Sequence, residues 1–442
     1  MDCKIGFISL GCPKNQVDSE LMLAKLAAEG FEITDTALGA DVVIINTCGF
    51  IDAAKQEAID NILEMAELKA DGEIGKIIVT GCMAERYREE ILKELPEVDC
   101  VAGIGCNGDI VSLVYRTLAG ESPCEFKPKE NMPLCRERLL TTPPYWAYLK
   151  IADGCSNCCS YCAIPEIRGP FRSRDKSEIV SEAKELAANG VRELILVAQD
   201  TTRYGEDLYG ESALPSLLRE LCKIEKLKWI RLLYCYPDRI SDELLKTIRD
   251  NDKILNYIDL PLQHASGSIL KLMNRSGDSD SLMALINKIR SYLPDCIIRS
   301  TFITGFPGET EEDFEILSDF VNKARLDRVG CFAYSLEEGT PAEKLPGRVD
   351  ADVAEHRGEI IMEQQYRIFS EKQDEKIDKV LDCVVEDYDG YTDCYCGRAW
   401  TDAPEIDSVI YMTGKRNFEP GDFVKVIVND TRDCDLLGEI IE

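Results

Sequence analysis

The stretch DGCSNCCSYCAIPEIRG, residues 153–169, sets Cys155, Cys159 and Cys162 in a C-x3-C-x2-C spacing. Thiolates are the preferred ligands of iron–sulfur clusters, and ligands this close let one loop wrap a [4Fe–4S] cube. Three ligands for four irons leave one iron open, and an open position separates a reactive metal site from a structural one. A structural zinc site asks for a fourth ligand. Cys158 could offer one, but it adjoins Cys159, and adjacent thiolates chelate one ion poorly, so Cys158 reads as a bystander. The chain has 20 cysteines and two histidines, His264 and His356. An all-thiolate iron site is well supplied and a Cys/His zinc site is not.

A second set is spread more widely. Cys12, Cys48 and Cys82 close the strings ISLGC, INTC and VTGC, each at the C-terminal end of an apolar run. Strand ends of a parallel sheet form its ligand crevice. The intervals match one strand–helix unit each, so three thiols from three strands meet on one edge. Gly11, Gly49 and Gly81 beside them allow close backbone approach. The competing reading is three buried free cysteines, which cores commonly hold.

The elements that carry these residues fall into three segments. Over 1–120, strands at 4–11, 40–48 and 76–82 alternate with helices at 16–29, 52–68 and 83–95; continuous Val/Ile runs between helices predict a small doubly wound α/β domain. Residues 121–144 carry prolines and charges without periodicity and read as a linker. Over 145–375 the pattern repeats six times, with strands at 146–152, 192–198, 228–234, 255–260, 296–304 and 328–334, then a helix over 353–374. Six units suit a partial (β/α)6 barrel, whose site lies at the strand C-terminal ends. The cysteine loop follows the first of these strands. Residues 376–442 turn to short β runs and predict a small β-barrel.

The opening MDCKIGFISLGC has no basic flank and no small-residue cleavage site, and no run reaches the roughly 18 apolar residues of a membrane span, so a cytoplasmic protein is expected. The formal net charge is −30. Residues 376–442 alone hold 16 acidic and 7 basic residues. Phosphate contacts dominate nucleic-acid affinity, so this balance argues against tRNA or DNA and for a basic protein partner; the alternative is that acidity serves solubility.

The C-x3-C-x-Tyr-Cys string after a strand resembles the radical S-adenosylmethionine superfamily. There, the methionine amino and carboxylate groups chelate the open iron, and reductive cleavage of the sulfonium gives a 5′-deoxyadenosyl radical. The resemblance implies that Tyr161 sits against the adenine and that Gly305, in ITGFPGET (303–310), lets backbone approach the adenosyl group. It makes Arg299 a candidate for the methionine carboxylate, with a structural ion pair as the other reading.

LGCPKNQVDSE (10–20), INTCGFI (45–51), VTGC (79–82) and CSYCAIPEIRGPFRSR (159–174) together resemble the methylthiotransferase family nearly end to end. That family joins an N-terminal domain with a three-cysteine auxiliary [4Fe–4S] cluster, a radical barrel and a C-terminal TRAM barrel. The resemblance implies that Cys12, Cys48 and Cys82 hold the auxiliary cluster and Cys155, Cys159 and Cys162 the radical one. One branch of the family modifies an adenosine of tRNA and shows Gln-Met-Asn where this chain reads Pro-Lys-Asn (13–15). The other modifies the β-carbon of an aspartate in the twelfth protein of the small ribosomal subunit, and CPKN (12–15) and VAQDTTRYG (197–205) resemble it.

The implied reaction replaces C–H by C–SCH3, with hydrogen abstraction by the deoxyadenosyl radical, sulfur delivery from the auxiliary site and a methyl group from a second S-adenosylmethionine. It calls for an external sulfur source and an electron donor, and for no side chain as general base. One departure is Tyr145, where the ribosomal-protein branch is expected to show a histidine.

Three rivals make different demands. A tRNA methylthiotransferase predicts a basic C-terminal barrel. An iron–sulfur electron carrier or scaffold predicts four ligands per cluster. An RNA-binding TRAM module leaves both cysteine sets without a use. Other residues have two readings: His264 as site or structural residue, Arg168, Arg172 and Arg174 as substrate contacts or ion pairs, and Cys394 with Cys396 as strand-spaced thiols rather than a metal site.

Overall fold

Val42–Thr47 and Lys76–Gly81 are continuous apolar runs, buried along nearly their whole length, as strands between two helical layers must be. In the computed structural model, which describes residues 3–134 and 137–441, they lie at the centre of a six-stranded sheet. Its members are β1 (Lys4–Ser9), β2 (Glu32–Thr34), β3 (Val42–Thr47), β4 (Lys76–Gly81), β5 (Cys100–Ala102) and β6 (Cys124–Glu125). The order is β2-β1-β3-β4-β5-β6, with every pair parallel.

Only β1, β3 and β4 are expected from sequence. The other three are two or three residues long, too short to show a period. β6 lies inside the expected linker 121–144, so the start of that segment extends the sheet; residues 135 and 136 of it lie outside the described residues. The helix expected over 83–95 is two, Cys82–Tyr87 and Glu89–Glu94, broken at Arg88 with φ +47°.

Six parallel strands then form the partial barrel. They are β7 (Trp146–Lys150), and, after a short ribbon of β8 (Ala152–Asp153) and β9 (Arg172–Ser173), β10 (Glu193–Val197), β11 (Trp229–Leu232), β12 (Ile254–Asp259), β13 (Ile297–Thr304) and β14 (Arg328–Ala333). The order is β7-β10-β11-β12-β13-β14. Ile195 and Val197 point into the lumen with Trp146 and Tyr148. Leu194, Leu196 and Ala198 point out to the helices. That is the alternation a pleated strand imposes. Between β12 and β13 run two helices, Gly267–Leu272 and Ser279–Tyr292, with Gly277 at φ +104° between them. A long helix, Ala351–Asp374, packs on β13 and β14.

The last five strands, β15 (Val380–Asp389), β16 (Cys394–Ala399), β17 (Ile410–Thr413), β18 (Phe423–Arg432) and β19 (Asp435–Ile440), close into a barrel. This small barrel stops the N-terminal end of the large one. Arg398 donates to Glu193 at 2.8 Å, and Arg231 donates to the same carboxylate at 3.0 Å. Tyr257 donates to Asp407 at 2.6 Å and Tyr148 to Glu405 at 3.1 Å. Burial opposes the Glu193 charge, but the two guanidiniums outweigh it and hold its pKa below the ordinary value.

Tyr145 belongs to this end too: a side chain at Gly421 would meet the Tyr145 Cβ at 2.9 Å. The place where a histidine is expected is therefore a contact with the small barrel, at the opposite end of β7 from the cysteine loop. No helix among the described residues is long and apolar enough to cross a membrane.

Candidate active site at the domain junction

Cys12 stands just before the helix Pro13–Glu29. Pro13 fits the first turn, where its missing N–H is not needed, and the Cys12 carbonyl accepts from Asn15 at 2.8 Å. Cys48 follows β3 directly. Cys82 opens its own helix after Gly81, whose φ is +96° and whose missing side chain would strike Asn46 Oδ1 and the Thr47 carbonyl at 2.4 Å. Only glycine fits there. A side chain at Gly11 would meet Cys48 Sγ at 3.0 Å, and one at Gly49 would meet Met83 Cα at 2.7 Å. The three loops are thus drawn together by glycines, as the sequence predicts.

The thiols feel one another. Burial raises Cys82 to about 12, with Cys12 and Cys48 adding to the rise and Arg168 opposing it. Burial and Cys12 raise Cys48. Burial also works against ionisation of Cys12, but Lys14, Arg168 and the amides of Asn15 and Lys14 outweigh it and lower its pKa. This is the setting of a thiolate at a helix N-terminus.

The second loop is tied down by backbone. Gly154 has φ +73° and sits so close to Pro170 that a Cβ would lie 2.1 Å from its carbonyl oxygen. Cys155 N donates to Gly169 O at 3.1 Å, Ser160 N to Met273 O at 3.0 Å, and Asn157 Nδ2 to Asp200 Oδ2 at 2.9 Å. Burial raises Cys155 to about 11 and Cys162 to about 12, with Cys159 adding to both. Arg275 lies 3.7 Å from Cys159 Sγ and stacks on Tyr236. Cys158 is exposed, with φ +54°; its thiol donates to the Ser156 carbonyl at 3.6 Å and its carbonyl accepts from Asn274 at 2.9 Å.

The two loops touch. Cys82 packs against Ala163 and Ile167, the first of which adjoins Cys162. Arg168, one residue past Ile167, is buried between them. It donates to Asp153 at 2.9 Å and to Asn15 at 3.3 Å, pairs with Asp18 at 2.9 Å and lies 3.6 Å from Cys82 Sγ. Lys150 completes the group, pairing with Asp18 and, at 2.9 Å, with Asp153. All four side chains are at most 1% exposed. Asp153 is held down to about 2: burial opposes its charge, and Arg168 and Lys150 outweigh it. Asn46 donates to the Asn15 carbonyl at 3.0 Å and to Ser19 at 2.8 Å, fixing the helix start against β3.

Other expected site residues are placed differently. Arg299 is third in β13, well below its C-terminal end, and pairs with Asp259 at 3.4 Å. Of its two readings, the ion pair is the one present. Gly305 has φ +70°, but the surface its bare backbone approaches is Ala354 of the long helix, where a Cβ would lie 2.1 Å from the Ala354 Cβ. Tyr161 does face the barrel mouth, 6.4 Å edge-on from the Phe306 ring and 3.5 Å from Arg275. His264 is buried: it accepts from Ser266 N at 2.9 Å and its Nε2 lies 3.3 Å from Glu309, which pairs with Arg357 at 2.7 Å. These contacts are structural.

Arg172 donates to the Glu130 and Met132 carbonyls, and Arg174 to the Lys150 carbonyl at 2.7 Å and to Glu182 at 2.5 Å. Cys394 and Cys396 are alternate residues of β16, each partly exposed. Arg168 takes the ion-pair reading of the two offered for it; the rest of its group, Asp18, Lys150 and Asp153, and also Arg275 and Asn46, were not singled out from sequence. Asp18 falls inside a quoted motif, yet nothing local marks it as a partner of residues over 130 positions away.

The Gly305 contact makes a prediction. Gly305→Ala should destabilise the chain by about 2–4 kcal/mol, from overpacking plus the left-handed backbone. Ala354→Gly added to it should recover part of that loss in urea unfolding. A double variant less stable than Gly305→Ala alone contradicts the contact.

Comparison with known proteins places the whole arrangement. Residues 4–103 match the uncharacterized protein family UPF0004, 149–321 the radical SAM superfamily and 377–441 the TRAM domain. The chain is 46% identical over 443 residues to the ribosomal protein uS12 methylthiotransferase RimO of Clostridioides difficile (strain 630), covering 99% of each. It is 49% identical over 441 residues to the enzyme of the same name from Caldanaerobacter subterraneus subsp. tengcongensis, covering 98% of this chain and 99% of that one.

Among solved structures, the fold resembles the radical S-adenosylmethionine methyltransferase TsrM from Kitasatospora setae, with a TM-score of 0.56 at 14% identity over 77% of each chain. It also resembles the cobalamin-dependent radical enzyme OxsB, with a TM-score of 0.52 at 13% identity over 83% of this chain and 58% of that one. Two cysteine triads abutting across one junction, on a chain similar to these relatives over essentially all its length, have one reading: the chain belongs to the radical S-adenosylmethionine methylthiotransferases of the RimO type.

Proposed function

We propose that this chain methylthiolates the β-carbon of an aspartate in ribosomal protein uS12, with Cys155, Cys159 and Cys162 holding one [4Fe–4S] cluster and Cys12, Cys48 and Cys82 the other. The observation that carries the reading is the contact of Cys82 with Ala163, beside Cys162, which brings a radical-generating loop and a sulfur-bearing loop to one barrel mouth.

The residues suit the groups. Both sets are thiols only, and each set contains thiols that raise one another's pKa, so they lie close together. A cationic iron reverses that interaction and takes them up as thiolates. No three Cys, His, Asp or Glu side chains among the described residues converge on a single ion; ligands of a four-iron cube stand further apart than that. When bound, the clusters supply reductive cleavage of S-adenosylmethionine at the first site and sulfur at the second.

The chain's own residues position and shield. Arg275 and Arg168 each set a guanidinium against one ligand sulfur, at Cys159 and Cys82. Such contacts from outside the ligand set tune a cluster. Tyr161, half-buried beside Phe306, offers an aromatic edge for the adenine. The small barrel closes the far end of the lumen, keeping the site dry from below. Its outer surface is acidic and suits a basic ribosomal protein. Sulfur and electrons come from outside the chain.

The test is direct. Reconstituted enzyme should add one methylthio group to uS12, read by mass spectrometry of its peptides. Methylthiolated tRNA, with uS12 untouched, overturns the choice of substrate.

A further inference from the structure

Lys14 is a buried cation whose near neighbours are the Cys12 thiol and the Tyr234 phenol, with no carboxylate of its own. The residue is 7% exposed, and among the described residues no carboxylate forms an ion pair with it. Its ammonium stands over the Tyr234 ring, 3.3 Å from the centroid. Elsewhere at the junction Lys150 and Arg168 are matched by Asp18 and Asp153, and Arg299 by Asp259. Asp259 feels the charge of Lys14, but its carboxylate is committed to Arg299 at 3.4 Å and to the Tyr234 amide at 2.9 Å. A buried ammonium held by a thiol and a phenol ring, with no carboxylate of its own, gains from a ligand that brings one.

The placement says which ligand. Lys14 lies two residues past Cys12, in the first turn of its helix, and reaches into the barrel mouth where Tyr234 follows β11. One end of it is in the sulfur-bearing site and the other in the barrel. An aspartate side chain carries its carboxylate one bond from its β-carbon. We propose that Lys14 receives the carboxylate of the substrate aspartate, fixes the β-carbon beside the Cys12 triad, and selects aspartate over neutral side chains.

The inference rests on the function proposed above.

The experiment uses the full reconstituted chain, Lys14→Met and Lys14→Arg, with two uS12 peptides carrying aspartate or asparagine at the target. The wild type should prefer aspartate by about 100-fold in kcat/KM, as a buried charge pair can enforce. Lys14→Met should bring that ratio to within about threefold at full iron content, while Lys14→Arg keeps a clear preference. An unchanged ratio in Lys14→Met overturns the inference alone. So does loss of iron in Lys14→Met, which would assign Lys14 to the cysteine site. A wild type that modifies neither peptide overturns the function and the inference with it.

Discussion

Arg168→Leu should cost about 3–5 kcal/mol of stability, because it leaves two buried carboxylates with one cation. Asp18 and Asp153 then share Lys150 alone, with all three side chains at most 1% exposed. Arg168→Lys should do better than leucine but worse than arginine: a lysine keeps the charge and loses the fork that reaches Asp18, Asp153 and Asn15 together. Urea unfolding at neutral pH measures this.

The pH dependence carries a sign. Asp153 has a pKa of about 2 in the fold against 3.8 as the ordinary value. Its contribution is present above about 3.8 and is lost as pH falls toward 2. In Arg168→Leu that acid limb should move to higher pH. An Arg168→Leu protein as stable as the wild type, with the same acid limb, contradicts the buried network.

Cys12→Ala should separate the two halves of the chemistry. Methylthio product should fall at least about 100-fold, while 5′-deoxyadenosine formation persists within a few-fold. Cys159→Ala should abolish both. The reason is topological: Cys12 follows β1 of the N-terminal sheet, and Cys159 belongs to a loop held by its own contacts to Gly169, Met273 and Asp200. Liquid chromatography with mass detection reads both products in one reaction. Equal loss of both in Cys12→Ala contradicts separate roles.

Much of this was legible from residue order. The barrel strands and the helices between them follow the apolar periodicity closely, because strands buried on both sides and amphipathic helices have no other way to be written. The six cysteines could be singled out because a chelating loop has a fixed spacing and strand ends have a fixed place. What escaped was made by distance. β6 has two residues and exists only because β5 is there to pair with it. Asp18 and Lys150 are an ordinary helix carboxylate and an ordinary strand lysine until folding brings them together. Gly305 shows the limit from the other side: a close backbone approach was expected there, but the surface it admits is a helix 49 residues later in the chain.

The central claim is two clusters on two triads in one chain, and iron counting after anaerobic reconstitution tests it most directly. The wild type should carry about eight irons per chain, and Cys12→Ala, Cys48→Ala or Cys82→Ala about four. About four irons in the wild type, unchanged by those substitutions, would contradict it.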